Sequence, residues 1–165
     1  MAALPELKEN MGSTRSSESP TKRREPPPTF SEIESEVGPE RIGQIERLRD
    51  ELGKMGLIGE LHWYSFSSGW AFRFRDGESV VCSLHLSGES NVGVVDIGSR
   101  LEPAIMADLE LGFLAQRYIV STPRRGPGRR VEIPLFSEGE EEAFINMASC
   151  KKRALRHPAD PWPEI

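Results

Sequence analysis

The chain has 165 residues, of which 37 % are hydrophobic and 28 % are charged, and its formal net charge is −5. This length suffices for one domain with a buried core, and the negative charge argues against a general affinity for nucleic acid or anionic membranes. No apolar run approaches the roughly 20 residues that span a bilayer, and the first ten residues lack the apolar stretch of a secretory signal. We therefore expect a cytoplasmic protein that does not bind a membrane.

The cysteines and histidines give no sign of a disulfide framework or a metal site. Cys82 and Cys150 lie far apart in the sequence without a second pair, so we expect reduced thiols. His62 and His85 complete the set of metal candidates, but no CxxC or HxxxH spacing occurs. Cys82 and His85 are expected on opposite faces of one strand, where they cannot hold one ion. No metal and no other cofactor is predicted.

Residues 1–28 contain four serines, the basic run Lys22-Arg23-Arg24 and three successive prolines, with few apolar side chains. Too little apolar surface is present to offset the entropy lost on ordering, which predicts a disordered tail. The basic run could contact phosphates or lipid headgroups, although short basic runs are usually just solvated. We expect a single domain over residues 29–156 and a loose C-terminal tail over 157–165, where three prolines prevent regular structure.

Two helices are predicted at the start of the domain. Thr29 and Glu32 have the spacing of a capping box, Gly38 ends the short helix that they begin, and Pro39 suits the first turn of the next helix. Gly56 is expected to end this second helix. Its apolar side chains recur every three or four residues and form one stripe: Ile42, Ile45, Leu48, Leu52 and Met55.

Beyond Ile58 the pattern changes to the alternation that is typical of strands. Four strands are predicted, and they are joined by a turn at 67–69, by a hairpin at Asp76-Gly77 and by a loop at Gly88. Three such connections in succession predict an antiparallel meander. One face of the third strand is expected to carry Val80, Cys82, Leu84 and Leu86.

From Leu101 the spacing becomes helical again, because Leu101, Ile105, Leu109 and Phe113 are each four residues apart. Residues 118–120 are a candidate strand, and PRRGPGRR at 123–130 turns the chain. A further strand then alternates Val131, Ile133 and Leu135 towards the core, before a last helix begins at Ser137 and Glu140, a second capping-box spacing. The apolar stripe of that helix includes Ala143, Met147 and Cys150.

These elements predict the fold class α+β: an antiparallel sheet of about five strands with helices packed on one face. Within it, residues 68–75 read SGWAFRFR, which partly matches an RNA-recognition submotif. If Trp70, Phe72 and Phe74 faced RNA, Arg73 and Arg75 would lie in the core, and burying unpaired charge is costly. The rings are therefore expected in the core. A cavity beside the helices would make them a ligand pocket, for which the candidates are Trp63, Tyr64, Trp70, Phe72 and Phe113.

An alternative site uses the arginines that remain outside. They form one basic surface for an anion or for nucleic acid if the last strand packs alongside the second. The competing interpretation is a solvated loop with ion pairs to the acidic run 138–142, and nucleic acid is not favoured. The residues of this surface would be Arg73, Arg75, Arg124, Arg125, Arg129 and Arg130.

Catalytic patterns are weak throughout the chain. No G-x-S-x-G elbow occurs, and Cys150 lies on an apolar helix stripe, where an inert thiol is common. His62 and Tyr64, expected to share a strand face, are the first pair to inspect for an enzyme. We rank a non-enzymatic module that binds a small ligand or a protein partner first, an anion- or nucleic-acid-binding module second, and an enzyme of unknown class third. No catalytic residue is assigned.

The order of segments resembles the bacterial and archaeal domain-of-unknown-function family 3788. A Gly-Trp pair that opens a strand is matched by Gly69-Trp70, a basic-glycine turn by Arg75-Asp76-Gly77, a strand that ends in glycine by 92–98, and a basic end of the last helix by 150–153. The resemblance covers residues 29–156. The Asp-Gly-x-Trp-like start of the last strand is replaced by GPGRRVEI, and a proline after the third strand by Ser87. The resemblance implies a compact α+β domain and no established reaction.

Overall fold

The computed structural model describes residues 26–64, 69–86 and 88–157. Most of the two predicted tails and residues 65–68 of the first predicted hairpin lie outside these ranges. The described helices are α1 (Phe30–Val37), α2 (Pro39–Lys54), α3 (Glu102–Ala107), α4 (Phe113–Ser121) and α5 (Glu138–Arg156). The strands are β1 (Ile58–Trp63), β2 (Trp70–Asp76), β3 (Ser79–His85), β4 (Val92–Gly98) and β5 (Gly128–Pro134). Across the described ranges, no helix has the length and apolar character needed to cross a membrane.

The strands form one antiparallel sheet in the order β1-β2-β3-β4-β5. Each strand therefore pairs with its neighbours in sequence, and the predicted meander is confirmed. One face of the sheet carries the large apolar side chains, and the helices pack on it, with α5 against β3, β4 and β5 and α2 against β1. The α+β prediction is confirmed. We call the opposite face of the sheet its open face.

The core lies between this apolar face and the two long helices. The predicted stripe of α2 is buried from Ile42 through Leu52, and Met147 and Cys150 of α5 are buried as expected. The sheet and α5 approach each other closely where Gly93 of β4 meets Phe144. A Cβ added at Gly93 would lie 2.4 Å from Cδ1 of Phe144, so β4 requires a glycine where α5 crosses it.

The helix starts follow the local signals in the sequence. Thr29 accepts a hydrogen bond from the Glu32 N–H at 3.2 Å, and the Glu32 carboxylate accepts one from the Thr29 N–H at 2.8 Å. Gly38, with a φ of 93°, ends α1 directly before Pro39. Ser137 likewise accepts from the Glu140 N–H at the start of α5. Both predicted N-caps are confirmed, but only Thr29 and Glu32 form a complete capping box, because the Glu140 carboxylate accepts from the Phe136 N–H instead.

A β-bulge changes the predicted faces of β3. The register with β2 shifts between Phe74↔Cys82 and Arg75↔Val80, so Val81 is an extra residue in β3. Val81 is fully buried, whereas Val80 is 38 % exposed and shares the open face with Arg75. The prediction that Val80 faces the core is therefore wrong, because the bulge reverses the alternation at this point.

The single helix predicted from Leu101 to Phe113 is also wrong. Helix α3 ends at Ala107, and α4 begins only at Phe113. The side chain of Asp108 accepts a hydrogen bond from the Glu110 N–H at 3.0 Å, a local bond that competes with a continuing helix. Leu109 is consequently 99 % exposed rather than part of a buried stripe.

Residues 118–120 belong to α4 and not to a strand, so that prediction is wrong as well. The apolar side chains that α4 buries are Ala115 and Ile119, which are four residues apart. This helical spacing outweighs the high strand propensity of the sequence Tyr-Ile-Val.

Candidate functional site

The five rings predicted to form a pocket lie in separate parts of the molecule. Trp63 and Trp70 pair across the β1–β2 hairpin with ring centroids 5.7 Å apart. Phe72 is buried on the core face, and its ring lies 4.7 Å from the guanidinium carbon of Arg49. These three rings belong to one side of the sheet, at the edge formed by β1.

The other two rings are elsewhere. Tyr64 lies on the open face, where its ring centroid is 4.8 Å from those of His62 and His85. Phe113 begins α4, which packs against β5 at the opposite edge of the sheet, and its side chain is 74 % exposed. The pocket expected from the sequence is therefore not assembled by these residues, because strand alternation and the strand order separate them.

The predicted arginine surface is not assembled either, since β5 pairs with β4 and not with β2. Two strands separate Arg73 and Arg75 from Arg130. Glu60 on β1 lies 2.9 Å from Arg73 and 3.2 Å from Arg75. Arg130 lies 3.5 Å from Asp96 and 3.3 Å from Glu132. These three arginines are thus engaged by neighbouring carboxylates.

The loop arginines differ from one another. Arg124 and Arg129 share the carboxylate of Glu102 on α3, at 3.1 Å and 3.0 Å. Arg129 also donates to the carbonyl of Ile119 at 3.3 Å, so it joins β5 to α4. Arg125 is exposed and forms no ion pair with any residue that the structure describes. Among the six arginines of the predicted set, it is the one without an ion-pair partner in the described ranges.

A polar cluster occupies the open face around β3. Ser83 and His85 alternate with Leu84, which places both on this face, and they are only 4 % and 5 % exposed. The Oγ atom of Ser83 is 3.0 Å from Nε2 of His85, and the ring of Tyr64 packs against that of His85 at an angle of 51°. We call Tyr64, Ser83 and His85 the open-face cluster. The predicted proximity of His62 and Tyr64 is present at its rim.

Burial determines the protonation of this cluster. It lowers the pKa of His85 to about 4, and Arg130 acts in the same direction. Burial also raises the pKa of Tyr64, while a hydrogen bond with Ser83 opposes that rise. At neutral pH the imidazole is therefore uncharged and the phenol keeps its proton.

A serine hydroxyl beside a neutral imidazole is one requirement for nucleophilic catalysis. Ser83 is too deeply buried for a substrate to reach its hydroxyl, however, and His85 is equally enclosed. The cluster behaves instead as a mutually satisfied polar network within the sheet. Ser83 and His85 were not predicted as a pair, although their separation by two residues on a strand indicates a shared face.

The remaining buried titratable groups also lack a reactive environment. Burial raises the pKa of the free thiol of Cys82 to about 12 and that of Cys150 to about 11. Lys151 donates from Nζ to the carbonyl of Asp96 at 2.5 Å, and burial lowers its pKa. In the described ranges, no group of three or more His, Cys, Asp or Glu side chains could hold a metal ion.

A groove of about 630 Å³ lies between α2, residues 89–91 and the start of α5. Its floor contains the buried Asn91, whose side chain donates to the carbonyl of Arg41 at 3.1 Å and to Gln44 at 2.8 Å. Arg41 in turn donates to Asn91 at 3.1 Å. These bonds tie α2 to the β3–β4 loop, so the polar floor is satisfied within the protein.

The most distinctive surface is apolar and surrounds α4. Of the seven large apolar side chains that are exposed in the described ranges, five belong to residues 109–136, so they are concentrated and not scattered. We call this group the α4 surface. Its members are Leu109, Phe113, Leu114, Val120 and Phe136.

Part of the α4 surface lies on the exposed side of α4, and part lies next to the start of α5. Phe113, Arg117 and Val120 follow at helical spacing on the side of α4 opposite the buried Ala115 and Ile119. Leu114 faces α5, because its Cδ2 atom lies 3.8 Å from where a Cβ of Gly139 would be.

Glu140 joins the two parts of the surface. Its carboxylate accepts from the hydroxyl of Tyr118 at 3.0 Å and from the N–H of Phe136 at 2.9 Å. The backbone of Phe136, whose side chain is 73 % exposed, is therefore linked to Tyr118 of α4 through Glu140. The sequence analysis missed this surface because it assigned Leu109 and Phe113 to a buried stripe.

The chain matches no protein-family model, no curated protein and no solved structure. The resemblance to domain-of-unknown-function family 3788 therefore stays a prediction, and the function must be argued from the arrangement of the side chains.

Proposed function

We propose that this chain is a non-enzymatic binding module whose partner is a protein segment that covers the α4 surface. The concentration of exposed apolar side chains around α4 carries the proposal. Folded monomers expose single apolar side chains in many places, whereas contiguous apolar patches mark interaction sites. Covering such a patch gains about 25 cal/mol for each Å² of apolar area that leaves the water.

The shape of the α4 surface favours a protein partner over a small molecule. Small ligands are usually enclosed in concave cavities that bury most of their area. Phe113 and Phe136 instead project outwards, since about three quarters of each side chain is exposed, at 74 % and 73 %. Aromatic side chains that project in this way are enriched among the residues that dominate protein–protein affinity.

The alternative of an anion- or nucleic-acid-binding module has less support. It depended on a single surface of six arginines, and five of them form ion pairs with Glu60, Asp96, Glu102 or Glu132. Because these arginines are also separated across the sheet, their combined electrostatic attraction for any one phosphate group is weaker.

We also propose that the protein functions in the cytoplasm. Both cysteines are free thiols, and unpaired thiols are typical of reducing compartments. An apolar surface available to other proteins is compatible with this location. Imaging a fluorescent fusion protein would test the proposal, and exclusive localisation outside the cytoplasm would contradict it.

The binding proposal can be tested by selecting peptides of about 16 residues, long enough to form a helix, from a random phage-displayed library. The selected peptides are then measured against the wild type, a Phe113→Ser/Val120→Ser variant and an Ile58→Ser control. Ile58 is an exposed apolar side chain on β1, far from the α4 surface in the strand order.

We expect the double variant to weaken binding by about tenfold or more, because truncating a central apolar contact typically costs more than 1 kcal/mol. The Ile58→Ser variant should bind like the wild type. A selection that enriches no peptide, or peptides that bind the double variant as tightly as the wild type, would exclude the α4 surface as the binding site. Circular dichroism would confirm that each variant is folded.

A further inference from the structure

The charges around the α4 surface indicate which kind of segment covers it. We infer that the partner segment is an amphipathic helix whose polar positions next to α4 are acidic. This inference rests on the proposed function, because it specifies the occupant of the same surface. Its basis is that two arginines at this surface form no ion pair within the described residues, whereas the nearby Arg124, Arg129 and Arg153 each contact a carboxylate.

Arg117 lies in the middle of the α4 surface. It falls between Phe113 and Val120 on the exposed side of α4, and its guanidinium carbon is 5.8 Å from the ring centroid of Phe113. This contact is a cation–π interaction at the outer limit of the usual distance. A guanidinium placed over a ring keeps N–H groups along its edge available to a carboxylate.

Arg125 extends the basic region beyond the C-terminal end of α4. It lies in the turn before β5, where its backbone bonds with Gly128, and its side chain is exposed. Neither Arg117 nor Arg125 forms an ion pair within the described part of the chain. By contrast, Arg129 and Arg153 contact carboxylates at 3.0 Å and 2.9 Å.

The carboxylates close to this region are already engaged. Glu140 accepts hydrogen bonds from Tyr118, Phe136 and Ser137, at 3.0, 2.9 and 3.1 Å. Glu102 is shared by two arginines. Within the described ranges no carboxylate pairs with Arg117 or Arg125, and a carboxylate of the partner would neutralise these positive charges.

The charges are also unevenly distributed along α4. Glu110 precedes the helix, and Glu138 precedes Gly139, which lies beside Leu114. Arg117 lies at the middle of the helix, and Arg125 lies beyond its C-terminal end. The partner should therefore place its carboxylates towards Arg117 and Arg125 and avoid acidic residues opposite Glu110 and Glu138.

A helix suits this surface better than an extended strand does. The members of the α4 surface belong to a helix and to connecting segments rather than to a strand, so a partner that covers them gains apolar contact rather than strand pairing. Amphipathic helices bind such surfaces through anchors at positions i, i+3, i+4 and i+7. Acidic residues beside these anchors would reach the guanidinium of Arg117 in an environment partly shielded from water, where a charge-assisted hydrogen bond is strengthened.

The test compares two synthetic peptides of about 16 residues, a length at which an isolated helix becomes stable. Both carry leucine at positions i, i+3, i+4 and i+7. The polar positions are glutamate in one peptide and lysine in the other. Binding is measured by fluorescence anisotropy to the wild type, to an Arg117→Glu/Arg125→Glu variant and to a Lys54→Glu control. Lys54 is exposed and lies at the end of α2.

We expect the wild type to bind the glutamate peptide about tenfold more tightly than the lysine peptide, a preference that weakens as salt is added. The double variant should prefer the lysine peptide, because like charges then face the glutamates. The Lys54→Glu variant should keep the wild-type preference.

The outcomes separate this inference from the proposed function. If both peptides bind equally, and binding is lost in Phe113→Ser/Val120→Ser, the inference of an acidic partner is wrong, but the proposed binding surface is supported. If neither peptide depends on Phe113 and Val120, both proposals fail. Self-association in analytical ultracentrifugation that disappears in Phe113→Ser/Val120→Ser would show that a second copy of this chain covers the surface, and would overturn the inference.

Discussion

His85 shows how strongly the environment of one residue can differ from what its position suggests. It lies on the face of the sheet opposite the helices, yet it is 95 % buried beneath the ring of Tyr64 and beside Ser83. Burial lowers the pKa of its imidazole to about 4. The protein therefore keeps a neutral histidine on a face that would ordinarily be solvated, and its stability must depend on pH.

The direction of that dependence follows from the two states of His85. An unfolded histidine has a pKa of about 6.5, so between about pH 6.5 and pH 4 the unfolded chain binds a proton that the folded chain does not. The stability linked to His85 is fully present above this window and is lost as the pH falls through it. The slope contributed by one proton is at most about 1.4 kcal/mol per pH unit.

Urea unfolding at several pH values across this window should therefore show a flatter pH dependence for His85→Gln than for the wild type. The NMR signal of the His85 ring should titrate with a midpoint near 4. A midpoint at about 6.5, the ordinary value for an exposed histidine, would contradict the burial of the imidazole. Equal slopes for the two proteins would show that another group controls acid stability.

At the scale of single elements, the two predicted N-caps are confirmed, whereas the single helix predicted from Leu101 to Phe113 is wrong. The caps at Thr29 and Ser137 depend on residues only three positions apart, so both can be predicted from the sequence alone. The break between α3 and α4 depends on Asp108, which also binds Arg153 of α5 at 2.9 and 3.1 Å. That partner is 45 residues away in the sequence. The spacing of Leu101, Ile105, Leu109 and Phe113 could not reveal it.

The cap of α5 gives a prediction at this scale. Ser137 accepts from the Glu140 N–H at 3.4 Å and donates to the Glu140 carboxylate at 3.1 Å. We expect Ser137→Ala to lower the free energy of unfolding by about 1 kcal/mol, the usual cost of losing an N-cap. Ser137→Asn should retain most of the stability, because asparagine also supplies an acceptor oxygen without adding charge.

Urea unfolding at neutral pH would compare the two Ser137 variants with the wild type. If Ser137→Asn is as unstable as Ser137→Ala, the acceptor role of the side chain is refuted and the loss arises from packing. The slope of the unfolding free energy against urea should remain unchanged, since neither substitution alters the area exposed on unfolding.

At the scale of the whole molecule, strand order decided which site predictions could hold. The sequence predicted five antiparallel strands, but the arginine surface required β5 to lie beside β2. The meander places β3 and β4 between them. The α4 surface depended in the same way on tertiary structure, because Glu140 links Phe136 to Tyr118 of α4. The residue types alone therefore identified candidate site residues, and the strand order determined which of them lie close together.

The single core also makes a prediction about the two thiols. Cys82 lies on the core face of β3 and Cys150 on α5, which packs against that strand, so both are enclosed by the same apolar cluster. Burial raises the pKa of Cys82 to about 12 and that of Cys150 to about 11, which leaves almost no thiolate at neutral pH. Neither thiol should react with an aromatic disulfide reagent while the protein is folded.

If residues 29–156 unfold as one cooperative unit, both thiols should become reactive at the same urea concentration, and that concentration should coincide with the loss of circular dichroism. Cys82→Ala and Cys150→Ala variants assign each signal to one thiol. Reaction of Cys150 at lower urea than Cys82 would mean that α5 leaves the sheet before the strands separate, and the prediction of a single cooperative domain would then be wrong. The α4 surface would be lost at that same early step, because Phe136 and Glu140 connect it to α5.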